Sequence, residues 1–388
     1  MTATWHLLTG EYPPDRGGVG DYTACLAKAL AAAGREVHVW CGGAGATVDE
    51  EGVKVHRVAG AFDAAGLERV KTGLDWLPGP RTLLVQYAPR AFGREGTNLA
   101  FCWWVLGRRE VDEVRVMFHE PFFPFGIQPL RRNALAAVNH AMAWLLLRAA
   151  HRAYVSIPAW ERLLSPVTPR RLGRLPWLPI PSTIDRVDDP AAAARVRGEV
   201  APRGEPVVAH FGTYGGLLRD GLLTSLRGVL QGDARPVLLL LGDGGPAFAD
   251  ELAAGDPVLR ARIVAPGWQP AHDLSLHLQA ADVAVQPYPD GASARRTTLM
   301  ALLAHGVATV TSTGRFTEDV WAGSGVPLVP ADKPEAAAAE ALRLLGDDRR
   351  RTRAAAAGQL LYVAEFAMQR TVDALLDGPP PTPLKGAK

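Results

Sequence analysis

Residues that could bind a phosphate are concentrated in one stretch of the chain, 282–314, which reads DVAVQPYPDGASARRTTLMALLAHGVATVTSTG. The stretch begins as a short apolar run, breaks at prolines and a glycine, and continues as a predicted helix that Ser293 is placed to cap. A second apolar run begins at Val307, so the pattern predicts a βαβ unit. The helix start would offer unpaired backbone N–H groups and the positive end of its dipole beside Arg295 and Arg296. This combination indicates a phosphate site.

The two arginines have a plainer interpretation, as a solvated charged pair near a helix start. A positive charge at that end of a helix is unfavourable by about 0.3–1 kcal/mol, which argues for a compensating anion. We therefore favour a role in ligand binding for Arg295 and Arg296.

Two positions in the first half of the chain could also carry chemistry. Gly17-Gly18-Val19-Gly20 lacks the Gly-any-Gly-any-any-Gly spacing of dinucleotide-binding dehydrogenases, but its glycines would let the backbone approach a ligand closely. The alternative is a tight turn. His119 ends the predicted strand VRVMFHE at a sheet edge where ligands gather, although a histidine there is often only a structural hydrogen-bonding group.

Short apolar runs alternate with helical patterns along most of the chain, which predicts parallel sheets covered by helices on both faces. The predicted strands are 4–8, 36–40, 53–58, 82–87, 114–119, 153–156, 207–211, 237–241, 263–265, 283–286, 309–311 and 326–329. The fold class is therefore α/β.

A chain of 388 residues exceeds the usual size of one hydrophobic core, so we expect two domains. The predicted segments are a first domain at 1–187, an Ala/Pro/Arg-rich linker at 188–206, a second domain at 207–348, a helical stretch at 349–377 that packs back on the first domain, and a disordered tail at 378–388. Two doubly wound domains of similar size would bring their loop-bearing sheet edges together across a cleft that binds a ligand.

Composition excludes several classes of protein. Apolar residues make up 48% and charged residues 21%, as in ordinary globular enzymes, and a net charge of +2 without basic blocks argues against nucleic-acid binding. Three scattered cysteines indicate neither a disulfide framework nor a zinc site. The opening MTATWHLLTG has no features of a targeting leader and no apolar run is long enough to span a membrane, so we expect a cytoplasmic protein.

Several motifs in order resemble the GT-B glycosyltransferases of the large family four group. They are EYPPDRGGVGDYT, FHEP, FGTYGG, LLGDGG, GWQP and AHGVATVTS, and together they span nearly the whole chain. The resemblance implies two Rossmann-like domains facing across a cleft, and a retaining, metal-independent transfer of a hexosyl unit from a nucleoside diphosphate sugar to a hydroxyl acceptor.

The sequence departs from that family at the donor motif. Members typically carry two glutamates at the spacing of Ser293 and Ala301, ahead of an Ala-Cys-Gly-like turn that here reads Ala304-His305-Gly306. The contacts that those glutamates make to the donor sugar and the ribose are therefore absent in this chain or are made by other residues. Members also tend to place Arg and Lys after the glycine that opens the second domain, where this chain has Thr213 and, nearby, Arg219.

A cation or the positive end of a dipole must stabilise the negative charge that develops on a departing diphosphate. The chain has no Asp-any-Asp pair to hold a metal, so we expect no metal and no cofactor, and interpret the arginine pair as relocated cations. The candidate residues for the donor and its diphosphate are Gly17, Gly18, Arg219, Ser293, Arg295, Arg296 and Thr297, of which the two arginines follow from their charge at a predicted helix start and not from the resemblance. The candidates for the nucleotide are Gly212, Asp243, Gly244, Trp268, Gln269 and Glu318, with Trp268 either stacking on the base or filling a wall and Glu318 as a carboxylate that could replace a missing glutamate contact. His119 and Glu120 would lie beside the donor sugar or the acceptor hydroxyl.

Aromatic stretches in the first domain, FFPFG at 122–126 and FCWW at 101–104, are core residues by default. An exposed subset could line a pocket for an apolar acceptor or rest on a membrane surface at the inner face of the membrane. The basic residues that would assist such a contact are Arg131, Arg132, Arg148 and Arg152.

Three functions stay open. The leading one is the transferase, with a polysaccharide, a lipid or a natural product as acceptor. Loss of both glutamates could instead mark a non-catalytic binding or regulatory protein, and a GT-B sugar-nucleotide epimerase would share the fold but need no acceptor.

Overall fold

The computed structural model describes residues 3–377 apart from 44, 61, 127 and 128. The chain divides into two compact units. One comprises the chain up to Pro179 together with the segment from Met368 onward, and the other runs from Ile180 to Ala367. The tail at 378–388, predicted to be disordered, lies outside the described residues.

The first unit is built on a seven-stranded sheet. Its strands are β1 Thr4–Leu8, β2 Val37–Gly42, β3 Val48–Glu50, β4 Val53–Val58, β5 Arg81–Tyr87, β6 Glu113–Phe118 and β7 Arg152–Val155. Its helices up to residue 179 are α1 Gly18–Ala32, α2 Ala64–Trp76, α3 Leu99–Arg108, α4 Leu130–Ala149 and α5 Pro158–Leu164. The strand order is β3-β4-β2-β1-β5-β6-β7, and every neighbouring pair is parallel except β3 with β4.

The second unit is built on a six-stranded, fully parallel sheet. Its strands are β8 Val207–Phe211, β9 Val237–Leu241, β10 Ile263–Gly267, β11 Val283–Gln286, β12 Ala308–Thr313 and β13 Leu328–Pro330. Its helices are α6 Pro190–Val200, α7 Arg219–Leu230, α8 Gly245–Ala253, α9 Pro257–Arg260, α10 Ala271–Gln279, α11 Thr297–Ala304, α12 Pro334–Leu345 and α13 Asp348–Leu361. The strand order is β10-β9-β8-β11-β12-β13.

Both sheets confirm the predicted α/β class with parallel strands. Every predicted strand overlaps a strand of the structure. The run VLLLL of β9 is buried along its whole length, as expected for a strand covered on both faces. The strand order reverses between β1 and β5 in one unit and between β8 and β11 in the other. Ligands of doubly wound sheets bind outside the carboxyl ends of the strands at such a point.

The predicted linker at 188–206 is wrong, because most of it folds as α6 within the second unit. The Asp189 carboxylate accepts a hydrogen bond from the Ala192 N–H at 2.9 Å and so caps the helix. Val200 joins the core of the second unit, and Arg197 pairs with Asp282 at 2.8 Å. α6 packs against the neighbouring helix α10. Its small alanine side chains form no clear apolar stripe, so the sequence pattern does not predict a helix there.

The predicted helical stretch at 349–377 consists of two helices in different units. α13 packs on β12 and α11 in the second unit. A π-helical turn at Tyr362–Phe366 follows, and α14, Met368–Leu376, then packs on α1 in the first unit. Only α14 therefore belongs with the first unit.

Three histidines lie side by side across strands β1, β2 and β4 of the first unit. The Trp40 indole N–H donates to Nδ1 of His6 at 3.2 Å, and Nδ1 of His38 lies 2.9 Å from Nε2 of His56. His56 also stacks on Trp40, with ring centroids 4.0 Å apart. Burial, with a smaller contribution from neighbouring histidines, lowers the pKa of His6 to about 2 and that of His56 to about 4. Burial also lowers the pKa of His38.

These histidines make the first unit sensitive to acid. In the unfolded chain they bind protons near pH 6.5, and in the folded unit they do not, so stability is lost as the pH falls from about 6.5 towards about 4. We expect His56→Phe, which keeps the stacking on Trp40, to flatten this pH dependence. The exposed His272→Phe in the second unit is the control and should leave it unchanged. Denaturant unfolding at several pH values, with hydrogen exchange of β1, β2 and β4, measures the effect. An equal slope in both variants would contradict the assignment.

Candidate active site

Five loops of the second unit follow strands β8 to β12 and lie at the carboxyl edge of the sheet. Because the strands are parallel, these loops share one edge. They carry the residues that the sequence predicted for the nucleotide, namely Gly212, Asp243, Gly244, Trp268, Gln269 and Glu318. The structure thus gathers these positions at one end of one sheet.

The loops after β8 and β9 pack backbone against backbone. The Gly212 N–H donates to the carbonyl of Leu241 at 3.0 Å, and a Cβ at Gly242 would lie only 2.3 Å from the Gly212 carbonyl oxygen. Gly242 also has a φ of 123°, which other residues rarely adopt. A side chain at Gly242 would force these two loops apart.

The remaining nucleotide candidates differ in exposure. Asp243 and Gly244 are exposed in the loop after β9. The Trp268 side chain is 51% exposed, so it is not a buried wall residue. The Gln269 amide donates to the carbonyl of Pro266 at 3.1 Å. The exposed indole offers a flat apolar surface at the loop-bearing edge.

Arg219 begins α7 and is held by carboxylates of this unit. Its guanidinium pairs with Asp220 at 3.0 Å and with Glu251. A phosphate at this position would have to compete with both.

The helix of the central stretch begins later than predicted. α11 starts at Thr297 with Arg296 at its N-cap position, so Ser293 does not cap it. Ser293 is fully buried, and its hydroxyl has no hydrogen-bond partner among the described residues. The segment before the helix is instead a loop, held at Ala292 by a hydrogen bond from its N–H to the carbonyl of Ser312 at 2.7 Å. Local spacing suited a cap, but contacts with the loop after β12 decided the conformation.

Arg295 and Arg296 are both mostly buried and both paired with a carboxylate. Both pair with the carboxylate of Asp290, Arg296 at 2.6 Å, and their side chains are only 18% and 29% exposed. Arg296 lies over the ring of Tyr288 at 4.6 Å, and Arg295 lies over the ring of Phe316 at 5.0 Å. Two guanidinium groups share the carboxylate of Asp290, and the buried carboxyl group of Glu318 also lies near Arg295.

The start of α11 has no side-chain cap. Thr297 is its first residue, and the next hydroxyl, on Thr298, lies 2.9 Å from the hydroxyl of buried Tyr288. Thr298 also adjoins Gly212, where a Cβ would lie 3.5 Å from its Oγ1. The uncapped N–H groups of α11 therefore lie near the loop after β8, beside the arginine cluster.

The two positions where the resembling family has glutamates are both inside the core. Ser293 and Ala301 have no exposed surface. Both positions therefore belong to the core in this chain.

Glu318 is a structural carboxylate in this arrangement. It is 5% exposed and accepts hydrogen bonds from the Ala294 N–H at 2.8 Å and from the Trp321 indole N–H at 2.7 Å. Burial raises the pKa of Glu318 to about 7, although both hydrogen bonds and nearby Arg295 oppose the shift. With both oxygens engaged, Glu318 fixes the loop before α11.

The glycine-rich segment of the first unit is closed by a carboxylate of the chain itself. Oε1 of Glu11 accepts hydrogen bonds from the N–H groups of Val19 at 3.0 Å and Gly20 at 3.2 Å, at the start of α1. A Cβ at Gly17 would lie 2.3 Å from the Glu11 carboxyl carbon, whereas one at Gly18 would meet nothing within 4 Å. Glu11 thus occupies the place that an anion would take at this helix start.

His119 is buried directly after β6. Its Nε2 lies 2.8 Å from Oε1 of Gln86, and its carbonyl accepts hydrogen bonds from the Ser156 hydroxyl and the Trp160 indole. Nε2 donates in this contact when it carries the ring proton, and Nδ1 then has the lone pair. Burial lowers the pKa of His119 to about 3, so the ring is neutral at neutral pH. Glu120, the next residue, is exposed.

Sequence reasoning missed four residues that shape these sites through their side-chain contacts. They are Glu11, Gln86, Tyr288 and Asp290. Asp290 could have been noticed, because it lies five residues before Arg295 in the same loop. Nothing local marks Gln86, which lies in an apolar strand.

The described part of the chain has neither a metal-binding cluster nor a membrane-spanning helix. Within it, no group of three or more His, Cys, Asp or Glu residues is arranged to hold a metal ion. Within it, too, no helix is both long enough and apolar enough to span a membrane.

The carboxylate of Glu318 should be essential for the loop before α11. Glu318→Ala would leave two buried N–H groups without an acceptor, at a cost of about 1–3 kcal/mol each. The adjacent, exposed Asp319→Ala is the matched control and should change little. Chemical denaturation measures the free energy of unfolding of both variants. Equal stabilities would show that Glu318 does not hold the loop.

The cap on α1 can be tested with two neighbouring glycines. Gly17→Ala should displace the Glu11 carboxylate and lose about 1 kcal/mol, the usual value of a cap. Gly18→Ala, in open space inside the helix, should be neutral or stabilising by about 0.5–1 kcal/mol. Thermal unfolding compares the two. A stable Gly17→Ala protein would exclude the cap.

The second unit matches a known family. Residues 205–347 match the family model described as glycosyl transferases group 1. A comparison with curated proteins found no match.

Solved structures similar to the whole chain include three glycosyltransferase-related proteins. Sucrose-phosphate synthase from Thermosynechococcus elongatus is 17% identical, with a TM-score of 0.71 over 96% of this chain and 97% of that one. HepE from Anabaena, in complex with UDP and glucose, is 13% identical, with a TM-score of 0.70 over 97% and 98%. WaaG, a glycosyltransferase involved in lipopolysaccharide biosynthesis, is 13% identical, with a TM-score of 0.63 over 96% and 100%. The chain therefore has the GT-B glycosyltransferase fold, and its second unit matches the group 1 glycosyl transferases.

Proposed function

We propose that the protein is a glycosyltransferase that moves a hexosyl unit from a nucleoside diphosphate sugar to a hydroxyl acceptor, with retention and without a metal. The observation that carries this proposal is the pair of arginines, Arg295 and Arg296, at the loop-bearing edge of the second unit, within the residues that match the group 1 glycosyl transferases. HepE, a protein of the same fold, binds UDP and glucose, which supports a sugar nucleotide as donor.

The donor diphosphate would lie at the start of α11. Three features support this position: the uncapped first turn of the helix, the bare backbone at Gly212, and the excess positive charge of Arg295 and Arg296 over Asp290. A diphosphate would then share the two guanidinium groups with Asp290. The half-exposed indole of Trp268, at the same sheet edge, is a candidate surface for the base.

The transfer itself requires little proton chemistry from the protein. The bond between the anomeric carbon and the departing phosphate oxygen breaks, a bond to the acceptor oxygen forms, and the acceptor proton passes to the departing phosphate. His119, held neutral by burial, would then position a sugar hydroxyl through its Nδ1 lone pair instead of titrating during the reaction. Glu120 would be a neighbouring polar contact.

Metal independence is part of the proposal because arginines and a helix start, instead of a metal ion, would stabilise the negative charge on the leaving group. The sequence has no Asp-any-Asp pair, whereas two arginines and a helix start meet at the proposed diphosphate position. Electrostatic stabilisation by fixed cations and dipoles can supply several kcal/mol at such a site.

Nucleotide binding should depend on the arginine cluster. In the double variant Arg295→Ala and Arg296→Ala, we expect UDP and other nucleoside diphosphates to bind at least tenfold more weakly, because charge-assisted hydrogen bonds contribute about 1.5–3 kcal/mol each. Asp290→Asn should bind them more tightly, since it removes the competing carboxylate. Arg315→Ala, which alters an arginine over the same Phe316 ring, is the control. Thermal stabilisation without added metal measures binding.

The same measurements separate the proposal from its alternatives. A wild-type protein that no nucleoside diphosphate or its sugar stabilises would contradict a nucleotide-dependent transferase. Binding without transfer or hydrolysis would favour a non-catalytic protein, and conversion of the sugar nucleotide without any acceptor would favour an epimerase. Strong inhibition of transfer by chelators would exclude metal independence.

A further inference from the structure

The first unit contains a cavity of about 640 Å³ near the carboxyl edge of its sheet. Its walls come from the loop after β5, the loop after β6 and the first turns of α4. Side chains that line it are Arg90, Glu95, Phe123, Arg131, Arg132 and Leu135. The strand order of this sheet reverses at β1 and β5, so the cavity adjoins the place where doubly wound sheets bind ligands.

The basic and aromatic residues grouped by the sequence are separated in the structure. Arg131 and Arg132 line the cavity, but Arg148 lies over Trp144 at 4.9 Å and Arg152 faces Glu113 at 3.8 Å. Of the stretch 122–126, Phe123 lines the cavity, whereas Phe122 and Phe125 stack on His140. Of the stretch 101–104, Phe101 is in the core and Trp103 is exposed.

The charge in the cavity is unbalanced. Three arginines face one glutamate, and Glu95 pairs with Arg131. Among the residues that the structure describes, neither Arg90 nor Arg132 has a carboxylate partner. Arg131 and Arg132 also lie in the first turn of α4, which contains no acidic residue, so the helix dipole adds to the positive potential. Such a concentration of cations favours a bound anion.

Side-chain amides hold the cavity walls in place. Partly buried Asn98 donates to the carbonyls of Phe62 and Phe92 at 2.9 and 2.8 Å, and buried Asn139 donates to the carbonyl of Gly96 at 2.7 Å. These contacts hold the loop after β5 at Phe92 and Gly96. Across the cavity, the side chain of Asn133 bonds the backbone of Gly126 on both its N–H and its carbonyl, which secures the loop after β6.

Phe123 gives the cavity a second, apolar element. Its ring is partly buried, and the Arg90 guanidinium lies 5.4 Å from the ring centroid. A planar cation stacked on an aromatic ring is oriented before a ligand arrives, so less side-chain entropy is lost on binding. A ring face next to oriented guanidinium groups suits a sugar or another partly apolar group that carries a phosphate.

We propose that this cavity binds a phosphate group of the acceptor, so that the acceptor is a phosphorylated molecule and not the apolar one that the aromatic residues alone would suggest. This inference rests on the proposed transferase function. The phosphate belongs either to a small molecule such as a sugar phosphate or to a lipid headgroup. In both cases Arg90 and Arg132 bind it, and Glu95 weakens the binding.

The test uses the full chain and four proteins. They are the wild type, the double variant Arg90→Ala and Arg132→Ala, the variant Glu95→Gln, and the double variant Arg162→Ala and Arg170→Ala. The last removes the same charge from exposed sites of the first unit outside the cavity. Calorimetric titration with glucose 6-phosphate and with glucose is made at saturating UDP, so that the proposed donor site is occupied. Sedimentation with vesicles of phosphatidylcholine, alone or mixed equally with phosphatidylglycerol, is made in parallel.

We expect glucose 6-phosphate or the anionic vesicles, but not glucose or the neutral vesicles, to bind the wild type. Binding should weaken at least tenfold in the Arg90 and Arg132 variant, strengthen in Glu95→Gln, and stay unchanged in the Arg162 and Arg170 variant. Binding of glucose 6-phosphate identifies a soluble phosphate, and binding of the anionic vesicles alone identifies a lipid headgroup.

Equal binding by the wild type and the Arg90 and Arg132 variant, or no phosphate-dependent binding at all, would overturn the proposal. That failure is distinct from failure of the transferase function, which appears as absence of UDP binding in all four proteins. Phosphate binding without UDP binding would support the anion site and contradict the transferase.

Discussion

Two carboxylates, partly buried Asp290 and buried Glu318, hold the loop that precedes α11, and the candidate donor site depends on them. Asp290 draws in two arginines, and Glu318 takes up the Ala294 N–H that no helix or strand satisfies. Because the loop has no regular hydrogen-bonding pattern, its backbone must find such partners or remain unsatisfied in the core. The result is a loop whose cations are stacked on aromatic rings and only partly neutralised, next to a helix start without a cap.

The two units are built on similar sheets, and in each a helix begins after a strand at the switch point, α1 after β1 and α11 after β11. The two helix starts differ. In the first unit Glu11 caps α1 from within the chain, so that end of the helix needs no ligand. In the second unit the start of α11 has no side-chain cap, and its neighbours are positively charged. Since a helix N-terminus attracts negative charge, the start of α11 can take a bound anion, whereas Glu11 already fills that place at the start of α1.

Charge in the first unit comes from arginines and not from histidines. Burial keeps His119 and the three histidines of β1, β2 and β4 neutral at neutral pH, with pKa values lowered to about 3 for His119 and about 2 for His6. The cavity lined by Arg90 and Arg132 is therefore a positive feature near the carboxyl edge of this sheet that does not depend on a histidine. An arginine stays charged over the whole working range of pH, so anion binding there would not depend on a titrating group.

The sequence by itself determined the α/β class and the parallel strands, because apolar runs and turn residues are local signals. It also pointed to Arg295 and Arg296. Only the tertiary structure decided their surroundings: Asp290 as shared partner, Glu318 as an anchor for the loop, and Ser293 as a buried residue instead of a cap. The tertiary structure also shows that most of the predicted linker folds as α6. Most of these outcomes depend on burial or on contacts between segments distant in sequence, which the spacing of neighbouring residues does not encode, and the Asp290 pairing depends on how the loop between β11 and α11 folds.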